Sequence, residues 1–248
     1  MSDNSAIEWC DATWNPTTGC TKITTGCDRC YAARFAERFR NVPGHPYEPG
    51  FDLTLRPERL KQPLSWKRPR MIFVDSMSDL FHKDIPTAYI DKVFDTMEEA
   101  EWHRFQVITK RSSLMRDYAR ERYGRHSAPA HIWLGVSVEE ATSKSRIEHL
   151  RATPAAVRFL SIEPMLGPLG AVDFTGIHWL LLGGETGPGA RPLDIAWVRE
   201  IRDQCVAKSV AFYFKRWGGP RPKTSGMSLD GREWKEFPHM PIAGKAAA

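Results

Sequence analysis

Short apolar runs alternate with amphipathic stretches along the middle of the chain, from about residue 70 to residue 214. Met71-Ile72-Phe73-Val74-Asp75 is a run of apolar and β-branched residues and predicts a buried strand. Thr87 to Ala100 sets Ile90, Val93, Phe94 and Met97 on one face, the spacing of a helix that packs on one side. The alternation then repeats. Phe105–Thr109 predicts a strand and Ser112–Tyr123 a helix, Ile132–Val138 a strand and Glu139–Leu150 a helix. Val157–Ile162 predicts a strand followed by a Pro/Gly loop, Trp179–Leu182 a strand, Asp194–Ala207 a helix and Val210–Phe214 a last strand.

The N-terminal region is less regular. Ile7–Cys10 reads as a short opening strand and Thr13–Pro16 as a turn into a cysteine-bearing loop. Tyr31 to Phe39 reads as a helix, since Tyr31, Phe35, Arg38 and Phe39 recur at helical spacing. Asn41–Gly50 carries three prolines and two glycines and reads as a loop, and Pro57–Gln62 as a short helix.

Near-continuous apolar strands alternating with amphipathic helices imply a parallel sheet covered by helices. The expected fold class is α/β: a partial or complete β/α barrel of about six or seven parallel strands, with an open doubly wound sheet as the alternative. Residues 1–219 form the expected barrel domain and residues 220–248 a basic C-terminal extension. In that extension Pro220–Gly226 is turn-rich, Asp230-Gly231-Arg232 is a turn and the final GKAAA is unstructured.

Composition narrows the class. The 248 residues are 42% hydrophobic, enough for a substantial core. A net charge of +5 suits a phosphate-bearing partner without requiring one. The start, MSDNSAIEWC, lacks a basic segment leading into an apolar one, and no apolar run is long enough to cross a bilayer. The expectation is a soluble, cytoplasmic protein with no membrane contact.

Three of the five cysteines fall within eleven residues: Cys20, Cys27 and Cys30, spaced C-x6-C-x2-C. Thiols at this spacing point to zinc or an iron–sulfur cluster, and spacing does not choose between them. No histidine lies between Trp9 and Gly44, so a fourth local ligand is missing. Three protein ligands leave one metal position open, as a reactive site requires. The bland alternative is a zinc knot completed by a distant residue such as His45. Cys205 shares a helix face with Val198 and Ile201 and reads as core. Cys10 is read as packed, with an approach to the cluster left open.

In parallel β/α folds the chemistry gathers at the C-terminal ends of the strands. Here six successive strand ends carry polar groups: Asp75, Ser76, Ser78 and Asp79; Thr109, Lys110 and Arg111; Ser137 and Glu139; Glu163; Glu185; Lys215 and Arg216. Their recurrence predicts one convergent pocket. Lys110 and Lys215 suit a carboxylate or phosphate, with plain solvent exposure as the alternative. Gly183-Gly184-Glu185 allows close backbone approach to a ligand and adds an acceptor, or is an ordinary tight turn. Glu163 precedes Pro164, which holds its backbone extended, or is a helix-start carboxylate.

A cysteine loop ahead of successive βα units with polar strand ends resembles the radical S-adenosylmethionine superfamily. More closely, Trp14–Cys20, Gly26–Ala32, Ser76–Phe81, Ile108–Arg111, Gly135–Glu139, Ser161–Gly167 and Gly183–Glu185 resemble a phage and prophage protein family of unsettled function. The Thr109-Lys110 strand end is also similar to that of spore photoproduct lyase and its relatives, which repair DNA. The resemblance implies that Cys20, Cys27 and Cys30 hold a [4Fe–4S] cluster whose open iron binds S-adenosylmethionine. It implies a 5′-deoxyadenosyl radical and an electron donor to the cluster. Tyr31, Asp75, Ser76, Ser78, Ser137 and Glu163 carry over as S-adenosylmethionine contacts, and Lys110, Glu185 and Lys215 as catalytic or substrate contacts. One departure stands out: most superfamily members space the cysteines C-x3-C-x2-C, and here the first gap is six.

Two readings follow. One is a radical enzyme acting on a nucleic acid or nucleotide, a substrate suggested by the basic Arg56–Arg70 stretch and the likeness to repair lyases. The other is a nucleic-acid-binding protein whose three cysteines hold structural zinc. A zinc-dependent hydrolase fits less well, because three thiolates make zinc a poor water activator.

Overall fold

The computed structural model describes residues 5, 7–221 and 225–239. Its centre is one seven-stranded sheet, every neighbouring pair parallel: β1 (Ala12–Trp14), β2 (Met71–Val74), β3 (Arg104–Thr109), β4 (Ala128–Ser137), β5 (Ala155–Ile162), β6 (Trp179–Gly183) and β7 (Ala211–Arg216). The strands lie side by side in chain order, and β1 and β7 are the two edges. The sheet therefore curls into a half-barrel rather than closing. This is the α/β partial barrel that the alternation of apolar runs predicts.

Period-2 alternation sorts each strand between two cores. On β6, Leu180 and Leu182 join the core beneath the helices, whereas Trp179 and Leu181 fill the barrel interior. On β2, Ile72 and Val74 face the helices and Met71 and Phe73 face inward. Helices α3 (Thr87–Glu99), α4 (Ser112–Tyr123), α5 (Ser145–Arg151) and α6 (Ile195–Ala207) cover the outer face. Two smaller helices, α1 (Tyr31–Glu37) and α2 (Gln62–Ser65), lie in the long connection from β1 to β2. Asp194 caps α6, its carboxylate accepting from the Ala196 amide. Cys205 is buried in the helix-side core, as its position beside Val198 and Ile201 predicts.

Three expectations are corrected. Ile7–Cys10 is a turn, closed by the Cys10 amide on the Ile7 carbonyl at 3.2 Å. Its apolar residues are buried for another reason: Trp9 plugs the barrel interior, 4.7 Å from the Phe73 ring and 6.1 Å from that of Trp179. Thr13 and Trp14 belong to β1 rather than to a turn, paired with Phe73 and Val74. The fifth helix begins at Ser145, not Glu139, because the Glu139 carbonyl accepts from the Leu166 amide at 2.8 Å and is not free to start a helix.

The segment 225–239 packs back on the barrel. Ser228–Leu229 and Arg232–Glu233 form a hairpin around Asp230 and Gly231, both at positive φ, as the Asp-Gly pair predicts. The Phe214 amide of β7 donates to the Trp234 carbonyl at 2.9 Å, and Trp234 is buried against Phe212. Pro222–Thr224 and the GKAAA end lie outside the described residues. Across the open side, Arg216 of β7 pairs with Glu8 at 3.0 Å, and the Lys215 ammonium sits 4.6 Å from the Trp9 ring. No helix among the described residues is long and apolar enough to cross a membrane.

Candidate active site

The strand ends converge on one cavity of about 920 Å³ at the C-terminal mouth of the half-barrel. That volume is at the upper end of the range for small-molecule and cofactor sites. Eleven of the twelve site residues predicted from the sequence line it: Cys20, Cys27, Cys30, Tyr31, Asp75, Ser76, Ser78, Lys110, Ser137, Glu163 and Lys215. Glu185 does not. Trp9, Phe73 and Ile108 give the cavity an apolar floor.

The three cysteines come from the loop between β1 and α1, and all are free thiols. Among the described residues, no three His, Cys, Asp or Glu side chains are gathered closely enough to hold a metal ion. The donor set still fits an iron–sulfur cluster or zinc in kind: three soft thiols, from one loop, on one wall of a cavity. Burial pushes the Cys20 thiol up to about 11, with Asp79 adding to the shift and Arg111 opposing it. A bound metal would supply the positive charge that such a thiol needs to ionise.

Asp75 follows β2 with φ at +54°, a left-handed conformation that Asp tolerates better than most residues. Its carboxylate accepts from the Thr17 amide at 3.0 Å and the Thr17 hydroxyl at 2.8 Å. Burial nevertheless raises its pKa to about 7. Asn15 organises the next residues, its Oδ1 accepting from the Ser76 hydroxyl at 3.1 Å and the Met77 amide at 2.9 Å. The Tyr31 hydroxyl donates to the Ser76 carbonyl, and Ser78 Oγ donates to the Gly19 carbonyl at 2.6 Å. These contacts tie the cysteine loop and α1 to the end of β2.

Neither lysine at a strand end is a lone cation. Lys110 pairs with Glu139 at 2.8 Å, and Lys215 pairs with Glu163. Glu139 is fully buried and also meets Arg146 at 2.8 Å and the Ser143 hydroxyl at 3.1 Å. Burial alone would raise its pKa, but Lys110 and Arg146 outweigh it and hold the carboxyl below its usual range. Glu185 is clamped by Arg191 at 2.5 Å and Arg29 at 3.3 Å. There too burial is outweighed, chiefly by Arg191, and the carboxyl stays ionised.

Sequence reasoning gave no role to Asp79, Arg111 or Glu139, although their polar character at strand ends was visible. Arg111 Nη1 lies 2.9 Å from Asp79 Oδ2 and 3.5 Å from Cys20 Sγ, and Arg111 Nη2 donates to the Thr21 carbonyl at 3.1 Å. Asp79 further accepts from the Thr109 hydroxyl at 2.6 Å. The pairs span 30 to 91 residues in sequence, beyond the reach of local spacing.

Fold and site together define an α/β half-barrel protein with a cysteine-walled cavity at its strand ends. The chain belongs to the family described as protein of unknown function DUF5131, whose model matches residues 4–238. No curated protein matches it. Among solved structures it is similar to spore photoproduct lyase complexed with dinucleoside spore photoproduct, at 10% identity and a TM-score of 0.44. That similarity covers 76% of this chain and 58% of the lyase chain.

Proposed function

We propose that this protein is an iron–sulfur enzyme of the radical S-adenosylmethionine type, with Cys20, Cys27 and Cys30 as ligands of a [4Fe–4S] cluster. The observation that carries the reading is the shared cavity: three thiols on one wall face the polar groups at the ends of β2 to β7. When bound, the cluster would supply one electron for reductive cleavage of the S-adenosylmethionine sulfonium. The chain's own residues bind and orient. Lys215 and Glu163 bring one positive and one negative group to the same place, the complement of a carboxylate and an ammonium. Ser76, Ser78 and Ser137 offer hydroxyl oxygens, and Trp9, Phe73 and Ile108 exclude water from the floor. A nucleic acid or nucleotide is the proposed substrate class, supported by the overall charge of +5 and by Lys22, Arg34 and Arg216 around the cavity. An electron donor to the cluster is the implied partner.

Metal analysis tests this directly. Protein purified without oxygen is assayed for iron, sulfide and zinc, then examined by EPR after reduction with and without S-adenosylmethionine. About four irons per chain and a spectrum altered by S-adenosylmethionine are expected. One zinc and no iron would overturn the proposal and favour a zinc-stabilised binding protein.

A further inference from the structure

The segment Thr21–Arg29 has almost no regular structure of its own, only a 3-10 turn at Thr25–Cys27. Three carboxylates buried in the barrel reach it at successive points. At its start, Asp79 holds Arg111, which spans Cys20 Sγ and the Thr21 carbonyl. In the middle, Glu139 Oε1 accepts from the Thr24 hydroxyl at 3.2 Å, and Thr24 Oγ1 is also 3.8 Å from Cys27 Sγ. Gly26 lies directly over the same carboxylate: a Cβ there would fall 2.6 Å from Glu139 Cγ. At the far end, Glu185 holds Arg29, between Cys27 and Cys30, and Arg191, whose Nη2 donates to the Thr25 carbonyl at 2.9 Å.

Each carboxylate comes from a different strand end, after β2, β4 and β6, and each is at most 6% exposed. A charge so placed is costly without its partner, and the pairing that satisfies it fixes the loop at the same time. We infer that Asp79, Glu139 and Glu185 are positioning residues that pre-form the cysteine loop before any metal binds. Glu185 in this role acts on the loop through Arg29 and Arg191 rather than on a substrate. The value of such pre-forming rests on the metal-binding reading above, but the pinning itself does not.

The test is alkylation of the metal-free full chain with a maleimide, followed by mass spectrometry at each cysteine. Glu185→Gln and Thr24→Val are compared with the unmodified protein. Thr24→Val removes the hydroxyl that meets Glu139 and leaves every buried charge paired; because that hydroxyl also touches Cys27 Sγ, Cys30 is the site that reports release of the loop. Both variants are expected to label about tenfold faster at Cys27 and Cys30, the effect of losing one strong hydrogen bond to a charged group. Labelling of buried Cys10 and Cys205 stays slow, which shows that the barrel is folded. An unchanged rate at Cys30 in Thr24→Val, with Cys205 still protected, would overturn the inference. Iron content measured on a separate preparation of the unmodified protein, purified without oxygen and never stripped of metal, judges the metal reading separately: absence of iron there removes that reading and leaves the alkylation result intact.

Discussion

Asp75 accepts both of its short hydrogen bonds from Thr17, which ties the end of β2 to the residues after β1. Burial raises the Asp75 pKa from 3.8 to about 7. A raised folded-state pKa means that the native protein binds a proton more tightly than the unfolded chain. The contribution is therefore full below the unfolded value of 3.8 and is lost as pH rises through about 7. Asp75→Asn removes this dependence. The amide can accept from the Thr17 N–H and donate to the Thr17 hydroxyl oxygen, and Asn tolerates the positive φ. The variant is expected to gain on the order of 2–4 kcal/mol relative to the unmodified protein between about pH 4 and pH 8. Urea denaturation across that range checks it, and a constant difference would refute the assignment.

Cys27→Ala should abolish iron binding and the visible cluster absorbance while leaving the barrel folded. The thiol is only half-buried, so the stability change is expected within about 1 kcal/mol. Iron analysis and thermal melting of one preparation decide the point. A full iron complement in the variant would show that the ligand is wrongly assigned.

Gly135 sits in β4 facing the barrel interior, where a Cβ would lie 2.6 Å from Phe159 Cζ. The interior ring of Phe159 is fully buried and packed in the interior cluster with Trp133 and Trp179. Gly135→Ala should cost about 2 kcal/mol through overpacking, read as a lower urea midpoint with an unchanged slope.

Trp234 is held between two arginines, Arg232 at 3.5 Å and Arg202 at 5.4 Å from its ring, with its edge on Phe212. Trp234→Ala should destabilise the whole barrel by about 3 kcal/mol. A single cooperative transition shifted downward is expected. Loss of a separate small transition, with the main one unmoved, would mean that the hairpin region folds independently of the barrel.

The helices and central strands were legible because each carries its own periodicity. Ser112–Tyr123 has the observed bounds, and Met71–Val74 needs only its apolar run. β1 was not legible: three residues, Ala12–Trp14, give no pattern, whereas Ile7, Trp9 and Cys10 imitate a strand because they plug the interior. The cavity wall was readable from the polar strand ends, which the parallel topology brings together. What those side chains do there was not. Glu185 and Lys110 look like free ligand contacts until their partners Arg191 and Glu139 are seen, and the partners of Asp79 and Glu139 come from distant βα units.

The half-barrel has one side on which no backbone ladder crosses from strand to strand. There the wall is completed by Glu8 on Arg216 and by Trp9 under Lys215. Parting the wall anywhere else means tearing a row of peptide hydrogen bonds; parting it here means breaking one ion pair and drawing the buried Trp9 ring away from Lys215, Phe73 and Trp179. Salt weakens the Glu8–Arg216 share of the resistance along that seam, while the buried Trp9 ring keeps its own. The width of the cavity is thus set on six sides by backbone ladders and on the seventh by side chains alone, so this seam is where a few substitutions could change the bulk of what is admitted without touching the sheet.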